Sequence, residues 1–174
     1  VEGAALDLQK AVAALGRKCI LLAAELSREE DCGFVVAESA KALGRLDVLV
    51  HNAGGPSFGK IEDVSTEQWM HTLALHVTAN FWLAKAALPH FRTVKGGCII
   101  TISSTAGIRG VPGAIAYATA KGALPQFTRS LAKDFADDNI RVNCVAPGVI
   151  TTRFHDSLSA ERRKYNVEHR IPLH

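Results

Sequence analysis

Helix-like and strand-like stretches alternate along this chain, and that alternation limits its fold more than any other feature. Leu8, Val12 and Leu15 recur at helical spacing over residues 4–15, and Gly16 is a natural stop. Residues 18–24 form an apolar run of strand length. Residues 28–43 return to helix, closed by Gly44. Asp47-Val48-Leu49-Val50-His51 reads as a short strand running into the turn Asn52-Ala53-Gly54-Gly55-Pro56. A long helix is expected over 65–89: Ser65 and Gln68 make a capping box, and Trp69, Leu73, Val77 and Phe81 fall on one face. Residues 97–104 read as a strand ending in two serines. Residues 116–135 read as a helix with Ala120, Leu124, Phe127 and Leu131 along one stripe, and 140–146 as a strand stopped by Pro147-Gly148. The tail, 151–174, is polar, with a short helix expected over 159–165. Strands and helices joined by short links argue for an α/β fold, a parallel sheet covered by helices on both faces. Ligands of such sheets bind outside the carboxyl ends of the strands. Here those ends carry Asn52-Ala53-Gly54, Ser103-Ser104 and Pro147-Gly148, so chemistry is to be sought there.

Composition narrows the function classes. The chain has 174 residues, 48% hydrophobic and 21% charged, which suits one globular domain over 1–174 rather than disorder. The longest apolar run, Cys19 to Ala24, is too short to cross a bilayer. No basic segment followed by an apolar one opens the chain, so a cytoplasmic setting is expected. The net charge of +3 is dispersed among acids, and neither nucleic acid nor a membrane is an expected partner. Cys19, Cys32, Cys98 and Cys144 show no C-x-x-C spacing, so buried, reduced thiols are expected and no metal site is.

Tyr117 and Lys121 lie four apart on an expected helix and so share a face. Ser104 ends a strand thirteen residues before Tyr117. A phenol of pKa about 10 is a poor base at neutral pH. An ammonium one turn away favours the phenolate and should lower that pKa. A serine hydroxyl can orient a carbonyl or an alcohol beside the phenol. The three groups would form a proton donor and acceptor poised over one oxygen, as carbonyl reduction or alcohol oxidation requires. General acid–base help of this kind is worth about 10²–10⁴-fold.

Four ordered motifs now stand together: Gly44 to Gly54 (G-R-L-D-V-L-V-H-N-A-G), Ile102-Ser103-Ser104, Tyr117-Ala118-Thr119-Ala120-Lys121, and Arg141 to Gly148 (R-V-N-C-V-A-P-G). With them the chain resembles the short-chain dehydrogenase/reductase family, oxidoreductases on a Rossmann-like, doubly wound parallel sheet that use NAD or NADP. The resemblance implies a hydride passed between that cofactor and a small carbonyl compound or secondary alcohol. It implies Tyr117 as catalytic acid/base, Lys121 as ribose ligand and tuner of Tyr117, and Ser104 as holder of the reacting oxygen. Asn52, Ala53 and Gly54 would lie against the cofactor, and Pro147, Gly148, Ile150 and Thr152 would meet its nicotinamide half. Glu25 stands where an aspartate usually meets the adenine. The family pairs its two long helices across a two-fold axis, which implies a homodimer or homotetramer, with Trp69 and Phe127 as interface candidates. These motifs do not discriminate NAD from NADP and name no substrate.

Departures from the pattern set further expectations. His76 takes the place of an asparagine that serves a proton relay. It either continues that relay or is a core histidine bonded to a backbone carbonyl. His51 replaces the first asparagine of N-N-A-G. Pro125 has no N–H for the Lys121 carbonyl and should kink the helix beyond both catalytic side chains. The glycine fingerprint T-G-x-x-x-G-x-G does not occur in the sequence, and strands 1, 2 and the last one have no counterpart. With the family's order 3-2-1-4-5-6, residues 18–24 would be strand 3 and 47–51 strand 4, separated by a slot of roughly 14 Å. The expectation is therefore that the folded molecule contains further segments. Residues 151–174 correspond to a substrate lid, in which Arg153, Arg162, Arg163, Lys164 and Arg170 either attract an anionic substrate or form a solvated helix face. The rival reading of the whole is a non-catalytic or regulatory dinucleotide-binding protein.

Overall fold

The computed structural model describes residues 2–150, 152 and 159–170. Its order is α1 (Glu2–Ala14), α2 (Glu29–Leu43), β1 (Val48–His51), α3 (Thr66–Leu73), a π-turn (Ala74–Thr78), α4 (Ala79–Thr93), β2 (Gly97–Ile102), a 3-10 turn (Thr105–Gly107), α5 (Ile115–Asp134), β3 (Ile140–Val145) and α6 (Ala160–Arg170). The three strands form one parallel sheet in the order β1-β2-β3. Leu49 pairs with Ile99, and Ile99 with Val142. The fold is thus α/β, with a parallel Rossmann-like sheet of three strands among the described residues.

Side-chain alternation decides which sheet face is covered. Helix α4 packs on β1 and β2, and α5 on β2 and β3. His51, Ile99, Thr101, Ile140 and Val142 alternate into that side and are buried. Val48 and Val50 point the other way and are 53% and 51% exposed. Among the described residues α1 and α6 make no comparable contact with a strand. The core is therefore one-sided among the described residues. It joins Cys32 and Val36 of α2, Leu83, Ala84, Ala87 and Phe91 of α4, and Ile99, Ile140 and Val142 of the sheet.

Sequence expectations meet the structure unevenly. Gly44 closes α2 in the left-handed region at φ 83°, its N–H donating to Ala40 O. Ser65 caps α3 by accepting from the Gln68 N–H at 3.1 Å, but the Gln68 side chain turns to Ser57 Oγ and Phe58 O, so only half of the capping box forms. Residues 18–24 are not a strand. A strand exists by hydrogen-bonding to a neighbour, and this segment has no ladder partner among the described residues. The long helix runs past Pro89 to Thr93, and the π-turn rephases it: Phe81, expected on the buried stripe, is 50% exposed. No break appears at Pro125 either. α5 runs on through it as a single helix, and the Lys121 carbonyl left unpaired by the proline accepts from the Ser103 hydroxyl at 2.6 Å. All four cysteines are free; Cys32 and Cys98 are buried, whereas Cys19 and Cys144 are half-buried. No described helix is long and apolar enough to cross a membrane.

Candidate active site

Parallel strands bring their carboxyl ends to one rim, so the loops after β1, β2 and β3 meet there. Two backbone bonds tie them together: the Ser103 N–H donates to Val145 O at 2.7 Å, and the Thr105 N–H to Pro147 O at 2.9 Å. Ser104 opens the 3-10 turn in an extended conformation, and its hydroxyl accepts from the Ala106 N–H at 3.1 Å. That turn packs tightly on α5. A Cβ on Gly107 would lie 2.5 Å from the Lys121 carbonyl carbon, so only glycine fits.

Helix α5 supplies Tyr117 and Lys121 one turn apart. The Ser104 hydroxyl is hydrogen-bonded to the Tyr117 phenol, which favours the phenolate, but burial outweighs that bond and raises the phenol above its ordinary value. The Lys121 ammonium lies 5.7 Å from the centre of the Tyr117 ring and donates to Ile102 O at 2.6 Å. Burial brings the Lys121 pKa down to about 8. This corrects the expectation of a phenol lowered by its lysine: desolvation of the phenolate dominates, and the ammonium is directed at a strand carbonyl.

The π-turn turns His76 inward, where it is 2% exposed. Its Nε2 lies 3.0 Å from Gly55 O, and its ring stands edge-on to Tyr117 at 5.5 Å. The backbone-bonded reading of His76 therefore describes one ring nitrogen. The other, Nδ1, has no hydrogen-bond partner among the described residues. Gly54 holds φ +144°, and a Cβ there would come within 2.1 Å of the His76 ring. Asn80, one helical turn past the relay position and so given no role from sequence, is 3% exposed. Its amide donates to His76 O at 2.9 Å and lies 3.3 Å from His51 Nδ1. Burial first, and the Lys121 charge second, lower both His51 and His76 to about 4, so both rings are neutral at pH 7.

These residues surround a cavity of about 500 Å³. Of the candidates named from sequence, Asn52, Gly54, His76, Ser104, Tyr117, Lys121, Pro147, Gly148, Ile150 and Thr152 line it, and Ala53 lies between two of them. Glu25 does not. It is exposed, with its carboxylate accepting from the Ser27 N–H and hydroxyl at 3.1 and 2.9 Å, bonds that hold its pKa below the usual range. The strand that would carry it to the rim is not formed. Asn166 of α6, 3% exposed, lines the cavity and was not legible in a polar tail. Arg163 and Lys164 do not line it, and Lys164 pairs with Glu168 at 3.7 Å. Arg153 and the side chains of Arg162 and Arg170 lie outside the described residues. No cluster of three metal-ligating side chains occurs among the described residues.

Close-packed small residues on one wall and a phenol, an ammonium and a hydroxyl on the other suit the nicotinamide–ribose part of a dinucleotide. Comparison with known proteins identifies the family. The family described as short chain dehydrogenase matches residues 2–163. An uncharacterized oxidoreductase of Thermotoga maritima is 38% identical over 149 residues, 83% of this chain and 59% of that protein. Human dehydrogenase/reductase SDR family member 4 is 39% identical over 140 residues, 80% of this chain and 50% of that protein. The crystal structure of a short-chain dehydrogenase from Streptomyces avermitilis superimposes with a TM-score of 0.76 at 32% identity, covering 84% of this chain and 54% of that one. The chain spans about half to three-fifths of the length of these curated relatives. The chain belongs to the short-chain dehydrogenase family.

Proposed function

We propose that this chain carries the catalytic part of an oxidoreductase that moves a hydride between NAD or NADP and a carbonyl compound or secondary alcohol. The observation that carries the reading is the meeting of Ser104, Tyr117 and Lys121 in one cavity, reached from two different elements. The cofactor supplies or accepts the hydride when bound; the protein binds, orients and moves a proton. The Ser104 hydroxyl holds the substrate oxygen. Tyr117, a neutral phenol at pH 7, donates its proton to that oxygen during reduction and recovers it in the reverse direction. The Lys121 ammonium is a hydrogen-bond donor for the ribose and the route by which the phenol is resupplied. His76, edge-on to Tyr117, keeps one ring nitrogen available to that relay.

The backbone of 52–54 and 147–150 would receive the nicotinamide half, since glycine and proline there let main chain approach the ring. Helix α6 brings Asn166 to the cavity and would serve as a lid over the substrate; the rest of the expected lid, 151, 153–158 and 171–174, lies outside the described residues. Paired α4 and α5 helices would make a homodimer or homotetramer. Four unpaired thiols suit the reducing cytoplasm.

The test is stopped-flow nicotinamide fluorescence with NADH and with NADPH, against a panel of ketones and aldehydes. Tyr117→Phe is expected to reduce hydride transfer by about a thousandfold while cofactor affinity stays within about twofold. Unchanged turnover in that variant would remove the mechanism, and no hydride transfer by the unmodified protein would favour a dinucleotide-binding role without catalysis.

A further inference from the structure

Pro125 sits inside α5, one turn beyond Lys121. In a regular helix the N–H of residue 125 would bond the carbonyl of residue 121, and proline has none to give. That carbonyl lies in the interior, since Lys121 is 6% exposed. An unpaired acceptor there is costly and frees the turn that carries both Tyr117 and Lys121. The partner comes instead from the sheet. The Ser103 hydroxyl, on a residue 2% exposed, donates to Lys121 O at 2.6 Å. The preceding residue completes a clamp, because Ile102 O accepts from the Lys121 ammonium at 2.6 Å. One lysine is thus held at main chain and side chain by two consecutive residues of one strand end. Ser103 is itself fixed, its N–H donating to Val145 O at 2.7 Å. Gly107 closes the remaining side of the Lys121 peptide, leaving no space for a substitute side chain.

We propose that Ser103 is a positioning residue for the reaction: its hydroxyl replaces the amide hydrogen missing at Pro125, and so fixes the helical turn bearing Lys121 and Tyr117 relative to Ser104, its neighbour in sequence. Ser103 does not touch the reacting atoms; it acts through the Lys121 carbonyl. The kinetic part of this inference rests on the oxidoreductase reading, whereas the hydrogen-bond compensation does not.

The two parts separate in a double-mutant cycle of Ser103→Ala and Pro125→Ala in the full chain. The Pro125→Ala change restores an N–H that can bond the Lys121 carbonyl within the helix, so the serine becomes redundant. With saturating NADPH or NADH, Ser103→Ala is expected to lower kcat by about tenfold to a hundredfold, since small misplacements of reacting groups carry penalties of that order. Cofactor affinity, read by nicotinamide fluorescence, should stay within about twofold. Made on top of Pro125→Ala, the same serine change should lower kcat by less than about threefold. A wild-type kcat in Ser103→Ala, or an equal loss in both backgrounds, would overturn the proposal. If the unmodified protein transfers no hydride, the functional reading fails by itself. The cycle read as urea midpoints then decides the compensation: a drop confined to the Pro125 background supports it, and equal drops refute it.

Discussion

The corner where β2 meets α5 and the stretch from α1 through residue 25 are both rich in apolar residues, yet they are buried to different degrees. In the corner, Ile99 is 2% exposed and Leu124 fully buried, and polar groups are paired across the seam, Thr101 to Thr128 at 3.0 Å and Ser103 to the Lys121 carbonyl at 2.6 Å. In the N-terminal stretch Leu8 is 59% and Leu15 78% exposed, and an apolar run of strand length takes no strand partner among the described residues. Apolar character gives a segment something to bury; a neighbour decides whether it is buried. The site stands where each segment has a neighbour on every side that matters to it.

The sharpest contrast is between Phe91 and Leu15. Phe91 is completely buried at the centre of the one-sided core, so Phe91→Ala should cost about 3–5 kcal/mol, read as a shift in the urea unfolding midpoint. Acid should act next. His51 and His76 are held neutral with pKa values of about 4, below the unfolded value of 6.5. Their depressed values contribute stability that is fully present above pH 6.5 and is lost as pH falls through 4, because the unfolded chain takes up protons first. Denaturation midpoints measured across that window should fall, and His76→Gln should flatten the slope; an unchanged slope would mean that the ring charges while still folded. Gly54→Ala follows, at about 1–3 kcal/mol, as the new methyl enters the space of the His76 ring. Leu15→Ala comes last, within about 0.5 kcal/mol. A loss of about 2 kcal/mol or more there, roughly that of a buried leucine, would show that α1 finds a partner in the folded protein and would erase the contrast.

Much of the rim was readable because its signals are local. Val48 to His51, Gly97 to Ile102 and Ile140 to Val145 are β-branched runs ending in turn residues, and each forms a strand. The four-residue spacing of Tyr117 and Lys121 fixes their shared face without knowledge of the rest. Residues 18–24 have a strand's composition, but strand pairing is a property of two segments, and this one has no ladder partner among the described residues. Pro125 shows the mirror case: its local rule leaves the Lys121 carbonyl without a helical partner, and a serine distant in sequence supplies one. Asn166 carries no sequence signal, because a lone amide has no periodicity and only its folded surroundings reveal its burial; Asn80 stands one helical turn past the relay position and so takes no role from the pattern. Glu25 was placed by analogy with a strand that is not formed.

The wide turn at Ala74–Thr78 has one more consequence. An insertion of this kind is a phase setter: everything after it is rotated relative to everything before. Removing a single residue from that stretch would let the helix close into regular geometry, with Leu83 still against the core and Phe81 toward solvent. What the deletion would take away is the wide turn that aims His76 inward, so these five residues answer to the site rather than to the core.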